Sequence, residues 1–172
     1  MDPKTPESLF METADVRTLK SGNLDLQVFA SIGGWTFSDN NTKTQPVFGN
    51  IAKDEGNRQK FANNVVSFMK EYGFDGVDID WEYPGAPDRG GHKDDTKNYV
   101  ALMKTMKDTF DKEAKGKYGL TFTVPTSYWY LRWFDLPGML KHADWVNVMS
   151  YDLHGTTTFA PNFSHVPFRA NV

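Results

Sequence analysis

The sequence predicts an α/β protein built on a parallel sheet, and three observations carry that prediction. Short apolar, β-rich runs alternate with segments of helical periodicity, which is the signature of βα units. Polar stretches of Gly, Pro, Asp and Asn follow the strand runs directly, at the strand ends where α/β proteins place their chemistry. One strand run also carries carboxylates at alternate positions. Composition agrees: 172 residues with 39% hydrophobic and 24% charged residues describe one folded domain over residues 1–172.

The elements follow in order. Residues 6–19 read as a helix with Phe10, Ala14 and Leu19 inward. Residues 24–32 form the first strand run, closed by Gly33-Gly34. Phe61, Val65, Phe68, Met69 and Tyr72 recur at helical spacing and stop at Gly73, a favoured residue just past a helix end. Residues 74–81 are the second strand. Tyr99, Leu102, Met103, Met106 and Phe110 make the next helical stripe, and Asp94, Asp95 or Thr96 supplies its cap. Met69, Met103 and Met106 lie on these stripes as core filler. Residues 119–124 are the third strand, ending at Pro125; an aromatic loop follows. Asp135-Leu-Pro137 starts a short helix with Asp as cap and Pro in the first turn. Residues 144–149 are the fourth strand. Residues 38–49 and 84–95 are expected to be loops.

Several function classes are disfavoured at once. With 19 basic and 22 acidic residues the net charge is −3, which gives no electrostatic footprint for nucleic acid or an anionic membrane. Cysteine is absent, so disulfides, thiolate nucleophiles and cysteine-based zinc sites are excluded. His92, His142, His154 and His165 lack the spacing of metal ligands, and no metal or cofactor is expected. The first ten residues contain Asp2, Lys4, Glu7 and two prolines. They lack the apolar run of about 7–15 residues that a secretory leader needs, and nowhere is there an apolar run of about 20 residues able to cross a bilayer. Asn40-Asn-Thr42 and Asn162-Phe-Ser164 fit the short glycosylation sequon.

Residues 75–84, Asp-Gly-Val-Asp-Ile-Asp-Trp-Glu-Tyr-Pro, are the most informative segment. Side chains alternate across a strand, so Asp78, Asp80 and Glu82 share one face while Val77, Ile79 and Trp81 share the other. Successive carboxyls sit about 7 Å apart, close enough in a poorly hydrated interior for one ionised group to raise its neighbour's pKa. A proton shared along the row can keep its last member, Glu82, protonated for general acid catalysis at the strand's C-terminal end. Two competing readings are a solvated strand of an antiparallel sheet and a hard-cation site, the latter opposed by the spread of the oxygens along the strand.

The motif resembles the D-G-x-D-x-D-W-E pattern of glycoside hydrolase family 18 chitinases. Ser31-Ile-Gly-Gly34 is similar to that family's S-x-G-G strand, and Met149-Ser-Tyr-Asp152 to its M-x-Y-D strand. The resemblance covers roughly residues 24–155, and the loops at 37–40 and 127–130 look most like the fungal killer-toxin-like branch. It implies hydrolysis of β-1,4 bonds between N-acetylglucosamine units of chitin or chito-oligosaccharides, with retention, by a substrate-assisted route in which the substrate's acetamido oxygen is the nucleophile. By resemblance, Glu82 is the acid and then the base, Asp80 bonds the acetamido N–H, Asp78 shares a proton with Asp80, and Ser31 supports Asp78. Tyr151 would hold the acetamido group and Asp152 would contact the distorted sugar, with Met149 and Gly34 lining the site. Trp35 matches the position where relatives stack the sugar beyond the cut, and Tyr83 flanks the acid. Tyr128, Trp129 and Trp133 either extend the cleft or pack beneath a loop.

The resemblance also implies a partial (β/α)8 TIM barrel. The full fold takes about 250 residues and eight strands, whereas the first three strand runs here begin 50 and 45 residues apart, so about four βα units fit, matching the third to sixth strands of the family barrel. Relatives floor the catalytic subsite with a tryptophan on the last strand, and no residue here matches it. Open barrel edges near Gln27 and Val146 invite self-association. An extracellular location follows from the family. Hydrolysis of chitin competes with a non-hydrolytic chitin-binding role for a chain that kept the fold; the presence of Glu82 favours the enzyme.

Overall fold

The structure, a computed structural model, describes residues 16–152. Its elements are α1 (Val16–Gly22), β1 (Phe29–Gly33), a 3-10 turn (Thr36–Ser38), α2 (Val47–Lys53), α3 (Glu55–Tyr72), β2 (Gly76–Asp80), a second 3-10 turn (Pro87–Arg89), α4 (Asp95–Ala114), β3 (Gly119–Pro125), α5 (Tyr128–Leu131), α6 (Leu136–Met139) and β4 (Trp145–Met149). The four strands form one sheet in the order β1-β2-β3-β4, and every pair is parallel. The expected α/β class and parallel pairing are therefore present.

The central strands are built by their apolar side. Val77 and Ile79 of β2 and Leu120 and Phe122 of β3 are 0% exposed, packed beneath Met69 of α3 and Tyr99, Leu102, Met103, Met106 and Phe110 of α4. The methionines and the helical stripe thus sit where their spacing placed them. Gly73 ends α3 in the left-handed region, with its N–H on the Met69 carbonyl. Asp135 caps α6 as expected, accepting from the Gly138 N–H at 3.0 Å.

Other boundaries differ. β1 starts at Phe29, not at residue 24, because the Asn23 side chain accepts from the Asp25 N–H at 3.2 Å and its carbonyl from Leu26, an Asx-type turn that leaves Leu24 90% exposed. Leu19 is 59% exposed, not inward: the buried face of α1 is set by Val16 and by Lys20 four residues on, which pairs with Asp75. Phe10, Ala14, His154, His165 and the sequon at Asn162 lie outside the described residues. None of the three proposed caps of α4 serves as a side-chain cap. Asp94 is the N-cap residue but makes no such bond, Asp95 turns back to the Gly85 and His92 N–H groups, and the Thr96 hydroxyl donates to the Trp133 carbonyl. The expected loop at residues 38–49 contains the start of α2, and the aromatic loop contains α5.

Two aspartates set the strand register from below. Asp75 accepts from the Val28 N–H at 2.8 Å just before β1, and Asp144 accepts from the Leu120 N–H at 2.8 Å at the start of β3. On the opposite face from the helices, the Phe29 ring crosses Gly76 and Gly119 to meet Trp145 of β4, with ring centroids 5.2 Å apart. A Cβ at either glycine would collide with that ring, so the first glycine of the carboxylate motif serves packing rather than chemistry.

Candidate active site

The polar side of the sheet gathers the carboxylate row. Strand alternation puts Asp78 and Asp80 on this side; β2 stops at Asp80, short of the expected residue 81, and Glu82 follows two residues beyond it, with Asp78 and Glu82 at 8% and 6% exposure. Neighbouring strands supply donors to the deepest member. The Thr121 and Thr123 hydroxyls donate to Asp78 at 2.7 Å each, the Asn147 amide at 2.9 Å, and the Ser31 hydroxyl at 3.3 Å. Strands β1, β3 and β4 thus all converge on one side chain of β2. Thr121, Thr123 and Asn147 are not singled out by the sequence reading; the available signal was their period-two placement on strands whose register to β2 was unknown.

Asp80 has the opposite environment. Its Oδ1 is buried and has no hydrogen-bond partner among the described residues. Burial first, then the fields of Glu82 and Asp78, push its carboxyl from the ordinary value of 3.8 up to about 7. The like-charge coupling expected along the row therefore falls on its middle member. A proton resides on Asp80 for much of the time at neutral pH.

The ends of β1 and β2 are tied together. The Gly34 N–H donates to the Asp80 carbonyl at 2.8 Å. Gly33, at φ 123°, brings the chain so close to that carbonyl that any Cβ would strike it, and at Gly34, φ 101°, a Cβ would come within 3.8 Å of Asp80 Oδ2. Tyr99 reaches up from α4 to donate to the Ile79 carbonyl at 3.0 Å, so the strand end that bears the acid is held from both faces.

Around Glu82 the site is aromatic. Tyr83 is 6% exposed and stacks on Tyr130 at 4.1 Å, so its ring lies beneath the surface. Burial, then a hydrogen bond to Glu82, push the Tyr83 hydroxyl well above its ordinary range. Trp35 is 51% exposed and meets Tyr83 edge-on at 6.4 Å. Tyr128 is also exposed, and Trp129 lies under the Arg132 guanidinium at 4.1 Å. Tyr151 is 62% exposed; slight desolvation, then the fields of Asp80 and Glu82, raise its hydroxyl. Asp152 adopts a positive φ of 54°, and Met149 is half-buried at the end of β4. Among the described residues no group of three or more His, Cys, Asp or Glu side chains could hold a metal ion.

A family model described as "Glycosyl hydrolases family 18" matches residues 3–169. The chain belongs to this family. Among curated relatives, the killer toxin subunits alpha/beta of Kluyveromyces lactis are 36% identical over 164 residues, covering 93% of this chain and 13% of that protein. A probable chitinase of Penicillium expansum is 42% identical over 133 residues, 73% of this chain and 8% of its own length. Among solved structures, catalytic domain 2 of the Ostrinia furnacalis Group II chitinase, in complex with a chito-oligosaccharide, superposes with a TM-score of 0.72 at 27% identity, over 83% of this chain and 36% of that one. The chain thus spans a small part of the family 18 proteins it matches. The parallel four-stranded sheet is the family's α/β architecture.

Proposed function

We propose that this chain carries the catalytic segment of a retaining chitinase that cleaves β-1,4 bonds between N-acetylglucosamine units. The observation that carries the reading is a buried Glu82 at the C-terminal end of β2, beside an Asp80 carboxyl pushed up to about 7. In the reaction, Glu82 protonates the glycosidic oxygen while the substrate's acetamido oxygen attacks the anomeric carbon; the departing sugar leaves with that proton. Asp80, whose buried Oδ1 lacks a partner, accepts the acetamido N–H and steadies the positive charge of the cyclic intermediate. Asp80 shares its proton with Asp78, whose four donors hold it as the accepting partner of the pair. Glu82 then takes a proton from water, which opens the intermediate with overall retention. Tyr151 and Asp152 contact the acetamido group and the distorted sugar, Met149 and Gly34 line that pocket, and Trp35 stacks the sugar beyond the cut.

The architecture proposed is four βα units of a (β/α)8 barrel, the third to sixth strands. Two features support it: a parallel sheet with helices on one face, and edge-strand rings that meet across the other. Among the described residues its two outer strands each pair on one side only, so we also propose that the isolated chain self-associates. A sedimentation profile independent of concentration contradicts that. The working location is extracellular, where polymeric chitin is met; among the described residues no helix is long and apolar enough to cross a membrane.

Product anomer analysis by NMR tests the chemistry. Hydrolysis of an N-acetylchito-oligosaccharide should yield the β-anomer first, and a glucose oligomer, which lacks the nucleophile, should be left intact. Initial α-anomer, or equal cleavage of the glucose oligomer, contradicts the reading.

A further inference from the structure

We infer that Arg89 is a positioning residue that locks the loop bearing Trp35 and the loop bearing Glu82 into one unit, fixing the distance from the aromatic platform to the acid. The inference rests on the proposed reading of Trp35 as a sugar platform and of Glu82 as the acid. Arg89 is 8% exposed, in the 3-10 turn that follows β2, and each of its three guanidinium nitrogens donates a hydrogen bond. Its Nε donates to the Glu82 carbonyl at 3.1 Å. Nη2 donates to the Trp35 carbonyl at 2.6 Å, and Nη1 pairs with Asp39 at 2.8 Å. The guanidinium carbon lies 3.8 Å from the centre of the Trp35 ring. One planar fork therefore holds the backbone of both loops and backs one face of Trp35, while the ring stays 51% exposed for a sugar to cover. A second stitch follows the same line: the Asn40 amide donates to the Asp88 carbonyl at 2.7 Å.

Lysine has the charge but not the fork, so Arg89→Lys and Arg89→Met should behave alike. In the unliganded chain, amide exchange at residues 35–40 and 82–90 should rise together by about tenfold or more in both variants, while β2 and β3 core amides keep their protection, which certifies the fold. In titrations with the N-acetylglucosamine hexasaccharide, Arg89→Met and Trp35→Ala should each weaken binding about tenfold, and the double variant no more than about twentyfold, because both remove one unit. Unchanged exchange at residues 35–40 in Arg89→Met overturns the inference, as does a double variant that loses the full product of the two single effects. Failure of the parent chain to bind the hexasaccharide would count against the proposed function; the exchange result would then decide the role of Arg89 by itself.

Discussion

Strands β2 and β4 are each five residues long in one parallel sheet, yet they differ in almost every physical respect. β2 has a strand on either side and α3 and α4 beneath it; Val77 and Ile79 are fully buried, and Asp78 is held by donors from three other strands. Among the described residues β4 pairs only with β3, and Trp145 and Val148 are 46% and 55% exposed. The acid end of the site is therefore assembled within the sheet, whereas Tyr151 and Asp152 follow a strand with little around it. Asn147 is the link between the two regions: a residue of the loosely covered strand that bonds the buried carboxylate of β2.

That contrast can be broken most strongly at Asp78. Asp78→Ala should cost about 2–4 kcal/mol in urea unfolding, since it leaves enclosed donors on three strands without their acceptor. A loss below about 1 kcal/mol would mean that the donors find other partners and that the network does not bind the strands together. A matched pair sharpens the comparison next. Val77→Ala should cost about 2 kcal/mol and Val148→Ala less than about 0.5 kcal/mol in the same assay. Equal losses would place a cover over β4 comparable to that over β2.

The effect at Asp80 is modest, and it runs the other way. Its folded pKa of about 7 lies above the ordinary 3.8, so the folded state holds a proton that the unfolded chain releases. Stability from this group is therefore fully present below pH about 4 and lost as pH rises toward about 7. Asp80→Asn, which cannot ionise, should be more stable than the parent at pH 8 by about 1 kcal/mol after solvent screening, with the advantage fading by pH 4. A parent-minus-variant difference that stays flat across this range would show that Asp80 is not held up.

Much of this was legible because it is local. The alternation of Asp78 and Asp80, the burial of Val77 and Ile79, and the stop at Gly73 all follow from the period of a strand or the end of a helix. What was hidden depends on register. Thr121, Thr123 and Asn147 reach Asp78 only because β3 and β4 pair at particular offsets, and no local pattern encodes those. Arg89 looked like one more residue of a polar loop; its partners Trp35 and Asp39 lie 54 and 50 positions away. Asp75 was read within the carboxylate motif, but its side chain bonds Val28 and Lys20 and not the row.

The central claim is that Glu82 is the acid, and fluorophore release from an N-acetylchito-oligosaccharide tests it most directly. The chain, its Glu82→Gln variant and a version extended to eight strands should be compared side by side. We expect Glu82→Gln to lower the rate by about 10²–10⁴ in whichever form turns over, with its melting curve unchanged. Equal release by the parent and by Glu82→Gln would contradict the account.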